Sequence, residues 1–193
     1  MRRSDRNFTK IPGGKLGIIA LKSCEALGEE IDNYIVKWRK ETNRQFQDSI
    51  ACDGYLRDTY LMDAVCPRFG SGEAKGLIRE SVRDMDLYIL VDVLNYSLTY
   101  SLCGYTNHMS PDDHYSDLKR IISAAAGKAK SINVIMPFLY ESRQHKRSTR
   151  ESLDCAVMLQ ELQSLGVDNI ITFDAHDPRV QNAIPISGFD NVQ

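Results

Sequence analysis

Residues 132–191 read as strand, charged loop, helix, strand and a second loaded loop, and that order constrains the chain more than any other stretch. Ser131-Ile132-Asn133-Val134-Ile135-Met136-Pro137 is an apolar run stopped by proline. Residues 148–165 carry apolar side chains at helical spacing, with Ser148 or Thr149 as the N-cap. Asp168-Asn169-Ile170-Ile171-Thr172-Phe173-Asp174 is a second strand-like run. A βαβ unit sets its strands parallel and adjacent with a right-handed crossover. Both loops then leave neighbouring carboxyl ends, the edge at which open α/β sheets bind ligands.

Upstream, residues 1–14 read as a flexible arm ending in Pro12-Gly13-Gly14, and residues 15–193 as one α/β domain. Residues 16–21 form a buried strand. A helix follows over 25–39, with Leu27, Ile31, Ile35 and Trp38 on its apolar face, Glu29, Glu30, Asp32 and Lys37 on the other, and Ser23 as a candidate N-cap. Residues 40–62 are polar, with strand character over 55–62. Residues 86–93 are a buried strand. Residues 94–110 are a tyrosine-bearing connection of undefined structure, and Pro111 opens a helix over 112–129 with Leu118, Ile121, Ile122 and Ala125 inward. Four strands alternating with three helices predict a three-layer fold around a mainly parallel sheet.

The chain has 193 residues, a hydrophobic share of 42%, a charged share of 26% and a net charge of −2, the balance of a globular domain with no global pull on nucleic acid or an anionic membrane. The apolar run at 16–21 is too short and too late for a signal peptide, and nothing approaches a membrane span. Five widely spaced cysteines without a Cys-x-x-Cys pair argue against a disulfide framework and a thiolate zinc site, so reduced thiols and a cytoplasmic location are expected.

Three clusters carry chemistry. Arg143-Gln144-His145-Lys146-Arg147 with Arg150 suits phosphate oxygens, a guanidinium fork binding two at once; it also suits a solvated loop before a helix. Asp174-Ala175-His176 places a carboxylate and an imidazole two residues apart, a pair fit for a divalent metal or for a turn cap beside a surface histidine. Phe69 and Glu73 in the glycine-bearing loop at 66–73 suit a stacked base and its amino group, or a plain turn. Together they describe an ATP-type site without a Gly-x-x-x-x-Gly-Lys loop.

In order along the chain, Arg68-Phe69-Gly70-Ser71-Gly72-Glu73, Glu80-Ser81-Val82-Arg83, Pro137-Phe138-Leu139-Tyr140-Glu141-Ser142-Arg143-Gln144, Asp174-Ala175-His176 and Phe189-Asp190-Asn191 resemble the N-terminal half of the ribose-phosphate pyrophosphokinases, also called phosphoribosyl pyrophosphate synthetases. The resemblance implies a phosphoribosyltransferase-like α/β half. It also implies transfer of the β,γ-diphosphoryl group of Mg-ATP to the C1 hydroxyl of ribose 5-phosphate. It assigns Arg143, Gln144 and Lys146 to ATP, His176 and Arg143 to catalysis, and Asp174, His176 and Asp190 to Mg²⁺. Phe69, Ser71 and Glu73 would grip adenine from a neighbouring subunit, which implies a homo-oligomer with no nucleic acid or membrane partner. Ser71 stands where Asn or Asp is expected, His145 where Asp follows Arg-Gln, and Asp177 where a small residue is usual. Segments 40–61 and 94–110 exceed the expected length. The family's second half, with its ribose 5-phosphate loop, has no counterpart before Gln193, so this chain alone is expected to be inactive. A non-catalytic associated subunit of the same family and an RNA-binding module are the competing readings.

Overall fold

The computed structural model describes residues 14–42, 54–173, 175–185 and 187–193. Most of the expected arm, residues 43–53 and Asp174 lie outside them. A five-stranded, all-parallel sheet forms the middle layer, built from β1 (Lys15–Ala20), β4 (Met85–Leu90), β7 (Ser131–Ile135), β8 (Asn169–Phe173) and β9 (Gly188–Val192), in that order. Two antiparallel pairs stand apart from it: β2 (Ala64–Val65) with β3 (Leu77–Ile78), and β5 (Thr99–Leu102) with β6 (Tyr105–His108).

Helix α1 (Glu25–Thr42) covers one face, and α2 (Pro111–Ala125) and α3 (Asp154–Ser164) cover the other. The alternation of the strands divides the core accordingly. Ile18 and Leu90 face α1, with Leu27, Ile31 and Ile35 packed on them. Ile19, Leu87, Ile89, Val134 and Ile170 face α2 and α3. Strands buried on both sides read as near-continuous apolar runs, which is why β1, β4, β7 and β8 were visible in the sequence. The α2 stripe Leu118, Ile121, Ile122 and Ala125 is fully buried as expected. Its N-terminus is a capping box in which Ser110 and Asp113 each satisfy the other's backbone N–H.

Several expectations are corrected. Trp38 lies outside the apolar face of α1 and is 49% exposed, whereas Asp32, expected on the polar side, is 5% exposed. Asp32 accepts hydrogen bonds from Thr59 Oγ1 at 2.8 Å and Tyr60 N at 2.7 Å, tying α1 to the chain that returns past β1. Ser23 is no N-cap: a 3-10 turn, Lys22–Cys24, leads into α1, and Ser23 Oγ accepts from Asp92 N. The expected strand at 55–62 reduces to a single parallel bridge, Ile18 to Leu61, with backbone bonds on either side of it. The connection at 94–110 holds the β5–β6 hairpin. Helix α2 ends four residues early, where Gly127 takes a positive φ of 72°. Helix α3 begins at Asp154 instead of 148, because residues 147–153 serve the preceding loop. β9 is a fifth sheet strand that the pattern did not show, its sequence Gly-Phe-Asp-Asn-Val being too polar to read as a buried run.

Replacing Asp32 by Ala strands the buried Tyr60 N–H, and urea denaturation is expected to show a loss of about 1–3 kcal/mol with an unchanged slope.

Candidate functional site

β7 and β8 pair in parallel from Asn133–Asn169 to Ile135–Ile171, and the pairing runs on past the strands: Met136 N donates to Ile171 O (2.9 Å) and Phe173 N to Pro137 O (3.2 Å). The two loops therefore leave the sheet side by side. The first is anchored by Leu139, 1% exposed, and by Tyr140. The Tyr140 hydroxyl donates to Asp112 Oδ1 at the start of α2 (2.6 Å), and its ring stacks on Tyr115 at 4.6 Å. Burial, reinforced by the Asp112 contact, pushes the Tyr140 phenol above its ordinary range and keeps it a neutral donor. Glu141 then takes a left-handed φ of 56°, which costs a residue with a Cβ about 1–2 kcal/mol. That reversal is held by Ser142 N to Leu139 O and Gln144 N to Glu141 O. Sequence reasoning missed Tyr140, Glu141 and the buried Ser142, since nothing local marks a tertiary anchor.

Beyond the reversal, Arg143, Lys146, Arg147 and Arg150 are exposed, and among the described residues their side chains make no hydrogen bond or ion pair. Gln144 is turned inward instead: its Nε2 donates to Ser152 O at 2.7 Å and Lys146 O at 3.3 Å, closing the loop on itself. This loop meets the second one through the His145 and His176 rings, whose centroids are 5.0 Å apart. His176 is exposed, not packed in apolar surroundings. Ala175 N donates to Asn191 Oδ1 on β9 (2.8 Å), which fixes the loop's root. Asp177 caps the 3-10 turn Pro178–Ala183 and pairs with Arg179 at 2.6 Å, whose guanidinium holds that carboxyl well below the usual carboxylate range.

The metal assignment is sparse. Asp174 lies outside the described residues, and Asp190 is exposed on β9. Among the described residues no group of three or more His, Cys, Asp or Glu is placed to hold a metal. Such a set does not make a protein cage.

The base-binding candidates sit on a separate loop between β2 and β3. Phe69 is 53% exposed, Ser71 Oγ donates to Glu73 Oε2 at 2.9 Å, and the turn is closed by Phe69 N to Glu73 O and Gly72 N to Phe69 O. The β5–β6 hairpin backs it, Cys103 N donating to Gly70 O at 3.0 Å. Its foot is locked to α2. Arg68 reaches Asp117 at 2.8 Å, both side chains 12% exposed, and Arg120 adds a second bond to Asp117 at 2.7 Å. Gly76 lies against the Arg120 carbonyl, where a Cβ would collide with backbone. A cavity of about 350 Å³ at this foot is lined by Lys22, Arg68, Tyr100, His114 and Asp117 among others; a second, of about 660 Å³, shares Lys22 and Glu25 with it and reaches Pro137 and Phe138 at the start of the arginine loop. Arg143 and His176 line neither cavity.

The fold defines a three-layer parallel α/β domain with its loaded loops at adjacent strand ends. The chain belongs to the family described as the N-terminal domain of ribose phosphate pyrophosphokinase, whose profile matches residues 16–166. It is 35% identical over 121 residues to ribose-phosphate pyrophosphokinase 1 of Schizosaccharomyces pombe, covering 62% of this chain and 26% of that protein. It is 28% identical over 137 residues to ribose-phosphate pyrophosphokinase B of Dictyostelium discoideum, covering 70% of this chain and 36% of that one. The chain thus spans well under half the length of these curated relatives. Among solved structures, phosphoribosylpyrophosphate synthetase from Mycobacterium smegmatis shares the fold, with a TM-score of 0.65 at 22% identity over 92% of this chain and 48% of that one. No described helix is long and apolar enough to cross a membrane.

Burial pushes the Cys66 thiol at the loop's foot up to about 12, and those of Cys24 and Cys155 up to about 11. A raised value means less thiolate, on the order of one part in ten thousand for Cys66 at pH 8. In a Cys52→Ser background, a chromogenic disulfide reagent at pH 8 is expected to modify exposed Cys103 at once and the other three only after unfolding.

Proposed function

We propose that this domain binds the Mg-ATP of a ribose-phosphate diphosphokinase, whose reaction moves the β,γ-diphosphoryl group to the C1 hydroxyl of ribose 5-phosphate and supplies nucleotide biosynthesis. One observation carries the reading: parallel β7 and β8 bring a loop of unpartnered cations against His176 at a single sheet edge. In that transfer the C1 oxygen attacks the β-phosphorus, the bond from that phosphorus to the oxygen shared with the α-phosphate breaks, and AMP leaves. Such chemistry needs alignment and charge neutralisation more than covalent help. Arg143 offers a planar fork to phosphate oxygens, and Lys146 a point charge beside it. His176, with Asp174 and Asp190, would hold Mg²⁺, which when bound draws negative charge from the phosphates. Gln144 shapes the loop that carries Arg143.

Phe69, Ser71 and Glu73 supply an exposed aromatic face and an acceptor for adenine. In this reading, as the family resemblance implies, the loop serves a neighbour in a homo-oligomer. Ribose 5-phosphate is taken to bind mainly on the family's second half, so the isolated chain binds nucleotide without turning over. The protein is cytoplasmic in this reading, with no nucleic acid or membrane partner.

Calorimetric titration of the purified chain with Mg-ATP is expected to show binding that Arg143→Ala weakens by about tenfold or more, the worth of a charge-assisted hydrogen bond. Equal affinity in the two proteins sinks the assignment. Steep, salt-dependent binding to unrelated RNA would favour the nucleic-acid reading instead.

A further inference from the structure

The residues at 145 and 177, both at odds with the family pattern, touch each other. His145 Nε2 lies 3.5 Å from Asp177 Oδ2, and the two side chains are 11% and 12% exposed. On its other side His145 Nδ1 sits 3.2 Å from Ser142 O, itself part of the reversal that Glu141 begins. With both ring nitrogens protonated, one imidazole spans from the backbone of the arginine loop to the carboxylate of the histidine loop. Its face lies against the His176 ring, tilted by 36°. Asp177 is held rigidly for this purpose: Arg179 donates to it from its backbone N (2.9 Å), Nε (3.0 Å) and Nη2 (2.6 Å). Arg179 itself is 80% exposed, so the shielded member of the group that faces the arginine loop is the Asp177 carboxylate.

We propose that His145 is a positioning residue: with Asp177 it clips the two loops together, fixes the spacing between Arg143 and His176, and orients the His176 ring. A carboxylate at 145 would meet the Asp177 carboxylate as a like charge, and a small residue at 177 would leave His145 without a partner on that side. The two side chains are thus complementary in this chain. The imidazole does not reach the ligand; it acts through where Arg143 and His176 stand. This rests on the reading that the two loops grip Mg-ATP, but the clip itself is testable without a nucleotide.

Two near-isosteric variants separate positioning from packing. The amide nitrogen of Gln reaches the place of Nε2 and keeps a donor for Asp177; that of Asn reaches only the place of Nδ1 and keeps the Ser142 contact alone. His145→Asn is expected to weaken Mg-ATP about tenfold and to shift the His176 ring resonances in a histidine-labelled NMR spectrum of the free chain. His145→Gln is expected to keep affinity within about threefold and to leave those resonances near their wild-type positions. A thermal melt checks that both fold. Should His145→Asn not fold, Asp177→Asn, which keeps the cap but loses the charge, takes its place with the same expected loss. Indistinguishable Asn and Gln variants, in affinity and in the His176 spectrum, overturn the proposal. A wild-type chain that does not bind Mg-ATP removes the nucleotide reading alone, and the ring spectra still decide whether the clip exists.

Discussion

Parallel pairing of β7 with β8 is the constraint from which the rest follows. A parallel pair cannot be joined by a tight turn, so the chain must cross over, and here it does so through an eighteen-residue loop and α3. Both strands consequently end at the same edge, and the loops beyond them have nowhere to go but side by side. The backbone bonds from Met136 to Ile171 and from Phe173 to Pro137 extend this registration into the loops themselves. The sheet itself brings Arg143's loop against His176.

Much of this was legible beforehand, for a physical reason. A strand buried on both faces must be apolar throughout, and a helix lying on a sheet must show a stripe, so β1, β4, β7, β8, α1 and α2 announced themselves. What stayed hidden was whatever depends on partners distant in sequence. Asp32 reads as a solvated helix residue until the chain at Thr59 and Tyr60 returns to meet it. Trp38 reads as core because its spacing fits, yet Val36 and Arg39 take the inward positions on that turn. β9 is nearly invisible because an edge strand can be polar, and the β5–β6 hairpin because its tyrosines and serines alternate without an apolar side.

The candidate site shows the same division. The exposed cations after β7 and the histidine after β8 were named from the sequence, and the structure brings their loops into contact through His145 and His176. Their supports were not. Tyr140 gains its role only through Asp112, twenty-eight residues earlier. Asp177 carried one local clue, the Asp-Pro step that opens a helical turn, but nothing in that step indicates His145. Phe69, Ser71 and Glu73 form one turn as expected, on the connection between β2 and β3.

The hairpin behind that turn has a consequence for anything that docks there. Because Cys103 grips Gly70 and Leu102 fills the space beside Gly72, the curvature of the Phe69 loop is imposed from outside. The Ser71 hydroxyl adds one internal tie, to Glu73, to this outside support. A shelf stiffened in this way would surrender little freedom to anything that docks on it.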